Sequence, residues 1–261
     1  MSTSADSPLE PPLSRRDRAL ILGALLLVCA LAWAVTARWA AMMDRMELMI
    51  PAEASWTATE LAVVFVMWVV MMAAMMLPAA SPMIAAFAAI NRRRRQRDAP
   101  YVPTAVFLAG YLLAWSGFSL AATAAQWLLS ETGLLSSMME PNSRALAAAL
   151  FIIAGLYQWS PLKRVCLTQC RSPLGFVIAE WREGARGALV MGLRHGIFCI
   201  GCCAGLMLLL FAVAVMDLRW VAALALLVTV EKLLPWPALW RNAIGGGLVL
   251  AGIAVAAGFV D

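Results

Sequence analysis

Long apolar stretches dominate this chain and leave few folds open to it. A helix crossing the hydrocarbon core of a bilayer needs about 20 largely apolar residues. Seven runs of that kind can be marked, at 18–37, 58–80, 104–129, 145–161, 187–215, 219–236 and 242–260. Hydrophobic residues make up 63% of the 261 and charged ones 13%, against about 25% charged in a soluble domain. A mean hydropathy of +0.83 excludes an ordinary soluble globule. The expected fold is all-α: a polytopic membrane helical bundle of about seven transmembrane helices. It forms one domain over residues 1–261, with a short tail at 1–17 and no room for a separate soluble unit.

The charges then orient the bundle. The net charge of +5 does not point to nucleic acid, because the basic residues flank apolar runs and make no soluble face. With seven spans and an internal N-terminus, the inside segments hold Arg15, Arg16 and Arg18, the run Arg92 to Arg95 with Arg97, six basic residues from Lys163 to Arg194, and Lys232 and Arg241. The outside segments hold only Arg38, Arg45, Arg144 and Arg219. That division, sixteen to four, satisfies the excess of Lys and Arg expected on the cytoplasmic side. The first run lacks a clear small-x-small cleavage site before Trp39 and is read as an uncleaved helix. Pro78 and Pro82 are expected to close the second span, and Gly245, Gly246, Gly247 and Gly252 to offer small surfaces for helix packing. Asp217 and Arg219 should cap the turn before the sixth run.

The segment His195-Gly-Ile-Phe-Cys199-Ile-Gly-Cys202-Cys203 carries the strongest chemical signal. At 100° per helical residue, the three cysteines fall roughly at +40°, −20° and +80° from His195. Four soft donors thus share one face of a membrane helix, and His195 is the chain's one histidine. Imidazole and thiolate bind both Zn(II) and Cu(I). Cysteine also packs as a small hydrophobe, but packing alone does not account for a histidine in register with three thiols. A second pair, Cys166 and Cys170, is spaced i, i+4 and would share a helix face. It could complete the first site, form its own, or pass an ion along. Cys29 is alone in the first run and reads as packing.

Sixteen methionines add a weaker signal. Met67, Met71 and Met75 recur every four residues in the second run, with Met72 and Met76 beside them. Met42, Met43, Met46 and Met49 lie in the first external segment. Thioether favours Cu(I) over Zn(II), yet methionine is also a flexible filler of apolar cores. Both readings stand for Met71 and Met75. Glu231 and Lys232 sit inside an apolar run and need partners, a watery cavity or an interfacial place near Pro235. Adjacent helical residues do not face each other, so separate partners on other helices are expected.

Five motifs occur here in order: Met71-Met-Ala-Ala-Met-Met-Leu-Pro78, Tyr157-Gln-x-x-Pro-Leu-Lys163, Cys166-x-x-x-Cys-Arg-x-Pro173, His195-Gly-x-x-Cys-x-Gly-Cys-Cys203 and Glu231-Lys232. Over about residues 60–235 the chain resembles a bacterial family of predicted metal-binding integral membrane proteins, of otherwise unassigned function and sometimes labelled a copper chaperone. Ala204 stands where that family usually has an aromatic residue, a departure that removes no candidate ligand. The resemblance implies a multi-pass metal-binding protein of the bacterial inner membrane. The charge pattern puts its N-terminus in the cytoplasm and its C-terminus in the periplasm.

The expected role is binding of a soft metal, Cu(I) with zinc as the alternative, for transport or for delivery to a protein partner. The candidate ligands are His195, Cys199, Cys202, Cys203, Cys166, Cys170, Met71 and Met75. The expected partners are the lipid bilayer, the metal ion and a metal-receiving protein. No enzyme is expected: there is no Walker motif and no ATP-binding domain for a pump. The enzymatic alternative is a membrane thiol–disulfide oxidoreductase using Cys166/Cys170 and Cys202/Cys203. It would need an activated thiol and an acceptor such as quinone, and the charge pattern puts these thiols on the reducing side. A structural or assembly subunit is the third reading.

Overall fold

The computed structural model describes residues 15–46, 56–95, 102–135, 143–213, 215 and 217–259. Their regular structure is all helix. The elements are α1 (Arg15–Met46), α2 (Ala58–Arg95), α3 (Thr104–Glu131), α4 (Arg144–Tyr157), α5 (Pro161–Arg171), α6 (Pro173–Ala179), α7 (Gly184–Leu208), α8 (Leu218–Leu233) and α9 (Pro237–Ala257), with a 3₁₀ turn at Leu209–Phe211 extending α7. Large apolar side chains point outward in rows, as Leu20, Leu27 and Leu31 do on α1, Leu113, Leu120 and Leu128 on α3, and Leu250 and Ile253 on α9. Buried polar residues lie inside: Gln126 accepts from the Trp68 indole at 2.8 Å, and Asn91 pairs with the Val102 backbone. Lipid in place of water as the outer solvent accounts for both facts.

Every apolar run identified in the sequence falls on helix, but fewer than seven can be counted as crossings by length and composition. Ala19–Met42, Ala58–Arg92, Thr104–Glu131, Gly184–Phe211 and Pro237–Ala257 are long and apolar enough. The α4–α5 pair makes a sixth if its 63° bend lies within one broken span. The run not yet counted falls on α8, which has 16 residues. At 1.5 Å per residue it reaches about 24 Å, short of the roughly 30 Å core.

The prolines of α2 do not act as expected. Pro78 and Pro82 lie inside a helix of 38 residues. Proline removes an N–H and frees the carbonyl four residues back, so Pro82 frees that of Pro78. The Ser81 hydroxyl donates to this carbonyl at 2.8 Å, which lets the helix run on to Arg95. There Arg94 pairs with Glu183 and lies over the Trp181 ring at 4.9 Å. Met42 is exposed and Met43 and Met46 lie in the last turns of α1, while Met49 is outside the described residues.

Short polar signals start the helices that matter for the site. Thr57 and Glu60 form a reciprocal capping box at α2, with Thr57 N–H donating to Glu60 at 2.7 Å and Glu60 N–H to the Thr57 hydroxyl at 3.3 Å. Ser160 accepts from Lys163 N–H at 3.1 Å, and Pro161 takes the first turn of α5. Asp217 caps α8 by accepting from Arg219 N–H at 2.9 Å. The Arg219 guanidinium beside it holds this carboxyl below its ordinary range.

Two glycine seams set the helix spacing. A Cβ on Gly110 of α3 would collide with the backbone of Leu189 and Leu193, and one on Gly192 or Gly196 of α7 with Phe107 or Tyr111 and Ala114. The α3 and α7 backbones therefore touch. Gly155 of α4 meets Gly245 and Val249 of α9, and Gly252 meets Ala148 and Ile152. Of the four α9 glycines expected to pack, Gly245 and Gly252 do, whereas Gly246 and Gly247 face open space.

Candidate metal centre

The α3–α7 seam fixes which residues meet. His195, Cys199, Cys202 and Cys203 share the inner face of α7 as the helical period requires, and all four are buried. Helix α5 lies across that face, and its Cys170 sulfur sits 3.7 Å from that of Cys202. Cys202 and Cys203 sulfurs are 3.5 Å apart. The Cys202 thiol also donates to the Cys199 carbonyl at 3.1 Å. Four thiols from two helices thus form one cluster, and none is in a disulfide.

Cys166 belongs to a different contact. It lies one turn before Cys170 on α5, and its sulfur packs against Gly201 of α7, where a Cβ would displace it. The Tyr157 hydroxyl donates to the Gly201 carbonyl beside it. The i, i+4 pair therefore divides its work: Cys170 joins the cluster and Cys166 seats α5 on α7.

The cluster has a polar wall that the cysteine spacing does not announce. The Tyr111 hydroxyl of α3 lies 3.1 Å from the Cys199 sulfur and 3.4 Å from the Met76 carbonyl of α2. The Lys232 ammonium of α8 donates to Cys199 at 2.9 Å. Its neighbour Glu231 turns the other way and accepts from Lys163 of α5 at 2.7 Å. Arg171, at the end of α5, donates to the Glu231 carbonyl at 2.6 Å. Glu231 and Lys232 do take separate partners on other helices, and both are buried within the bundle.

His195 stands one turn from Cys199 in an aromatic setting, with ring centroids of Tyr111 at 5.5 Å, Phe176 at 5.4 Å and Phe107 at 6.2 Å. Its buried Nδ1 has no hydrogen-bond partner among the described residues, a condition that costs free energy and that an added ligand would relieve. Met71 and Met75 are wholly buried in the α2 core beside Met72 and Met76. Among the described residues, no hydrogen bond joins either to the cysteines. The link from α2 to the cluster is the Met76 carbonyl.

Among the described residues, no group of three or more His, Cys, Asp or Glu side chains is set around an open ion position. The sulfurs explain this, because they contact one another and Lys232 instead of converging on a gap. Two sulfurs bonded to one ion at about 2.3 Å and at tetrahedral angles would stand about 3.8 Å apart. The observed 3.5 and 3.7 Å separations are within a few tenths of an ångström of that. These two sulfur pairs could each span one ion after a small expansion, although the cluster as it stands encloses no ion site among the described residues.

A family model described as PpoB2, copper chaperone, matches residues 65–255. No curated protein and no solved structure matches the chain. The matched region reaches into α9, beyond the 60–235 that the sequence motifs delimit, and includes every thiol of the cluster together with Tyr111, Lys163 and Lys232. The family's description names copper and gives zinc no support. The chain belongs to this copper-chaperone family.

Proposed function

We propose that this member of the copper-chaperone family is a membrane-embedded carrier that holds Cu(I) as cargo among Cys170, Cys199, Cys202 and Cys203 and hands it to a partner protein without catalysing a reaction. The observation that carries this reading is the convergence of four free thiols from α5 and α7 inside an apolar bundle. Thiolate favours soft ions, Cu(I) among them, the family's description names copper, and buried polar groups in a membrane mark function more often than packing. His195, with its unpartnered Nδ1, is the nitrogen donor on the same face. Cys166 holds α5 in place, and Met71 and Met75 fill the core of α2. The mutual contact of the sulfurs supports holding an ion over conducting a stream of them.

The charge pattern supports a place in the bacterial inner membrane, with the N-terminus in the cytoplasm, the C-terminus in the periplasm and α8 as a short seventh crossing. The thiols then face the reducing side, where they persist unoxidised.

The test is the copper content of the anaerobically purified protein in detergent, beside a Cys199→Ser/Cys202→Ser/Cys203→Ser variant. About one Cu(I) per chain, lost in a variant that still folds, is expected. Equal copper in both proteins would sink the reading. A thiol–disulfide role is the second reading, favoured by the Cys170–Cys202 contact at 3.7 Å. It requires the sulfurs to close to about 2.05 Å. A reducible Cys170–Cys202 pair in a protein that takes up no copper would establish it instead.

A further inference from the structure

The cysteines do not stand alone in the bundle. Three charged side chains are buried around them: Lys163, Glu231 and Lys232. Lys163 and Glu231 neutralise each other across 2.7 Å. Arg171 is taken up by the Glu231 carbonyl. Lys232 is left with sulfur: its ammonium lies 2.9 Å from Cys199, whose side of α7 also carries Cys202 and Cys203. An ammonium in a low-dielectric interior is costly unless a negative charge answers it. Here the answering groups are the proposed copper ligands.

This constrains the charge of whatever the cluster holds. A complex of one monovalent cation with two thiolates carries one negative charge. One divalent cation with two thiolates carries none. Beside a fixed positive charge, the first becomes neutral and the second becomes a buried cation. For a divalent ion to reach neutrality next to Lys232, a third thiolate has to form inside the bundle.

We propose that Lys232 is the built-in counter-ion of the cluster, which makes a two-thiolate Cu(I) complex electrically neutral within the bilayer and so sets the preference for monovalent over divalent soft metal ions. Lys232 touches the ligand and not the ion, and acts on the cargo through its charge. Its place is fixed from both sides. Glu231 is locked to α5 by Lys163 and Arg171, which turns the next residue of α8 towards α7. Tyr111 meets Cys199 from α3, which holds that sulfur against the ammonium.

The inference rests on the copper reading above, and one experiment separates the two. Full-length protein in detergent is titrated anaerobically with Cu(I) against a chromophoric Cu(I) chelator and, separately, with Zn(II) against a Zn(II) chelator. Lys232→Met and Lys232→Arg are measured beside the unaltered chain. Lys232→Met is expected to weaken Cu(I) at least tenfold and to strengthen Zn(II), so that the Cu(I)/Zn(II) affinity ratio falls by more than tenfold. Lys232→Arg, which keeps the charge, is expected to hold that ratio within about threefold. A merely structural role would weaken both metals together and leave the ratio where it was, and that result overturns the proposal. If the unaltered chain binds no Cu(I), the function proposed above falls and this inference with it.

Should Lys232→Met fail to fold, X-ray absorption on the copper-loaded unaltered chain decides the matter. Two of the cluster's four sulfurs are expected around copper, the other two cysteines staying protonated and unbound, and three would overturn the counter-ion role.

Discussion

Lys163 and Glu231 are almost wholly withdrawn from solvent, with 1% and 3% of their side chains exposed, and they meet at 2.7 Å. Removing one member of such a pair leaves a buried charge unanswered, whereas removing both is far milder. Lys163→Met is therefore expected to destabilise the protein by about 3–5 kcal/mol. The double variant Lys163→Met/Glu231→Leu should recover at least half of that loss, read as unfolding midpoints in detergent. Tyr111→Phe is a smaller change, deleting one hydroxyl between Cys199 and the Met76 carbonyl. About 1 kcal/mol of stability should be lost, with copper stoichiometry kept and affinity reduced severalfold. Sequence periodicity exposed the four donors of α7 because they lie within nine residues on one helix, where 100° per residue fixes their bearing. Tyr111, Lys163 and Arg171 drew no attention as site residues. Their roles arise from contacts between helices 60 or more positions apart in the chain, and spacing along one helix holds no trace of those.

At the scale of the element, α2 and α7 teach opposite lessons about what a sequence pattern means. The methionine repeat of α2 lies on a buried face where Met71 and Met75 are fully enclosed, and the function proposed above uses it as core. Met71→Leu/Met75→Leu, which conserves volume closely, is expected to cost less than about 1.5 kcal/mol per site and to leave copper content unchanged in the same metal assay. In α7 the glycines matter as much as the cysteines. Gly192→Ala would place a Cβ on the Phe107 carbonyl oxygen, which cannot yield without shifting α3. A loss of about 1–3 kcal/mol is expected, together with weaker copper binding, because Tyr111 rides on the displaced helix. The seam is not legible in the sequence: Gly196 stands inside the histidine motif and Gly192 three residues before it, and neither marks which helix it meets. The α9 glycines were read as packing surfaces, and two of the four are. Helix identity follows from apolar length, but the partner of a glycine depends on which helix faces it. The prolines of α2 misled for a local reason: proline ends a helix in water more readily than inside a bundle, where Ser81 can serve the freed carbonyl.

For the molecule as a whole, apolar length predicted a helical membrane bundle, and most of each of the seven runs lies on helix. The number of crossings was less legible. Hydropathy does not register the 63° bend between α4 and α5 or the shortness of α8. The proposed orientation still makes a sharp prediction. An alkaline phosphatase fused after residue 261 should be active, and one placed in the loop after Arg95 inactive. Active enzyme at both positions would contradict the arrangement.

The touching backbones of α3 and α7 have one more consequence, for how cargo leaves. Helices without intervening side chains can neither slide nor roll past each other without collision. They form a single stiff wall carrying His195, Cys199, Cys202, Cys203 and Tyr111. Cys170 rides instead on an 11-residue helix hinged at a sharp bend. On the carrier reading proposed above, the wall is expected to stay still and α5 to move once the Lys163–Glu231 pair opens, which makes Cys170 the first thiol to part from the ion.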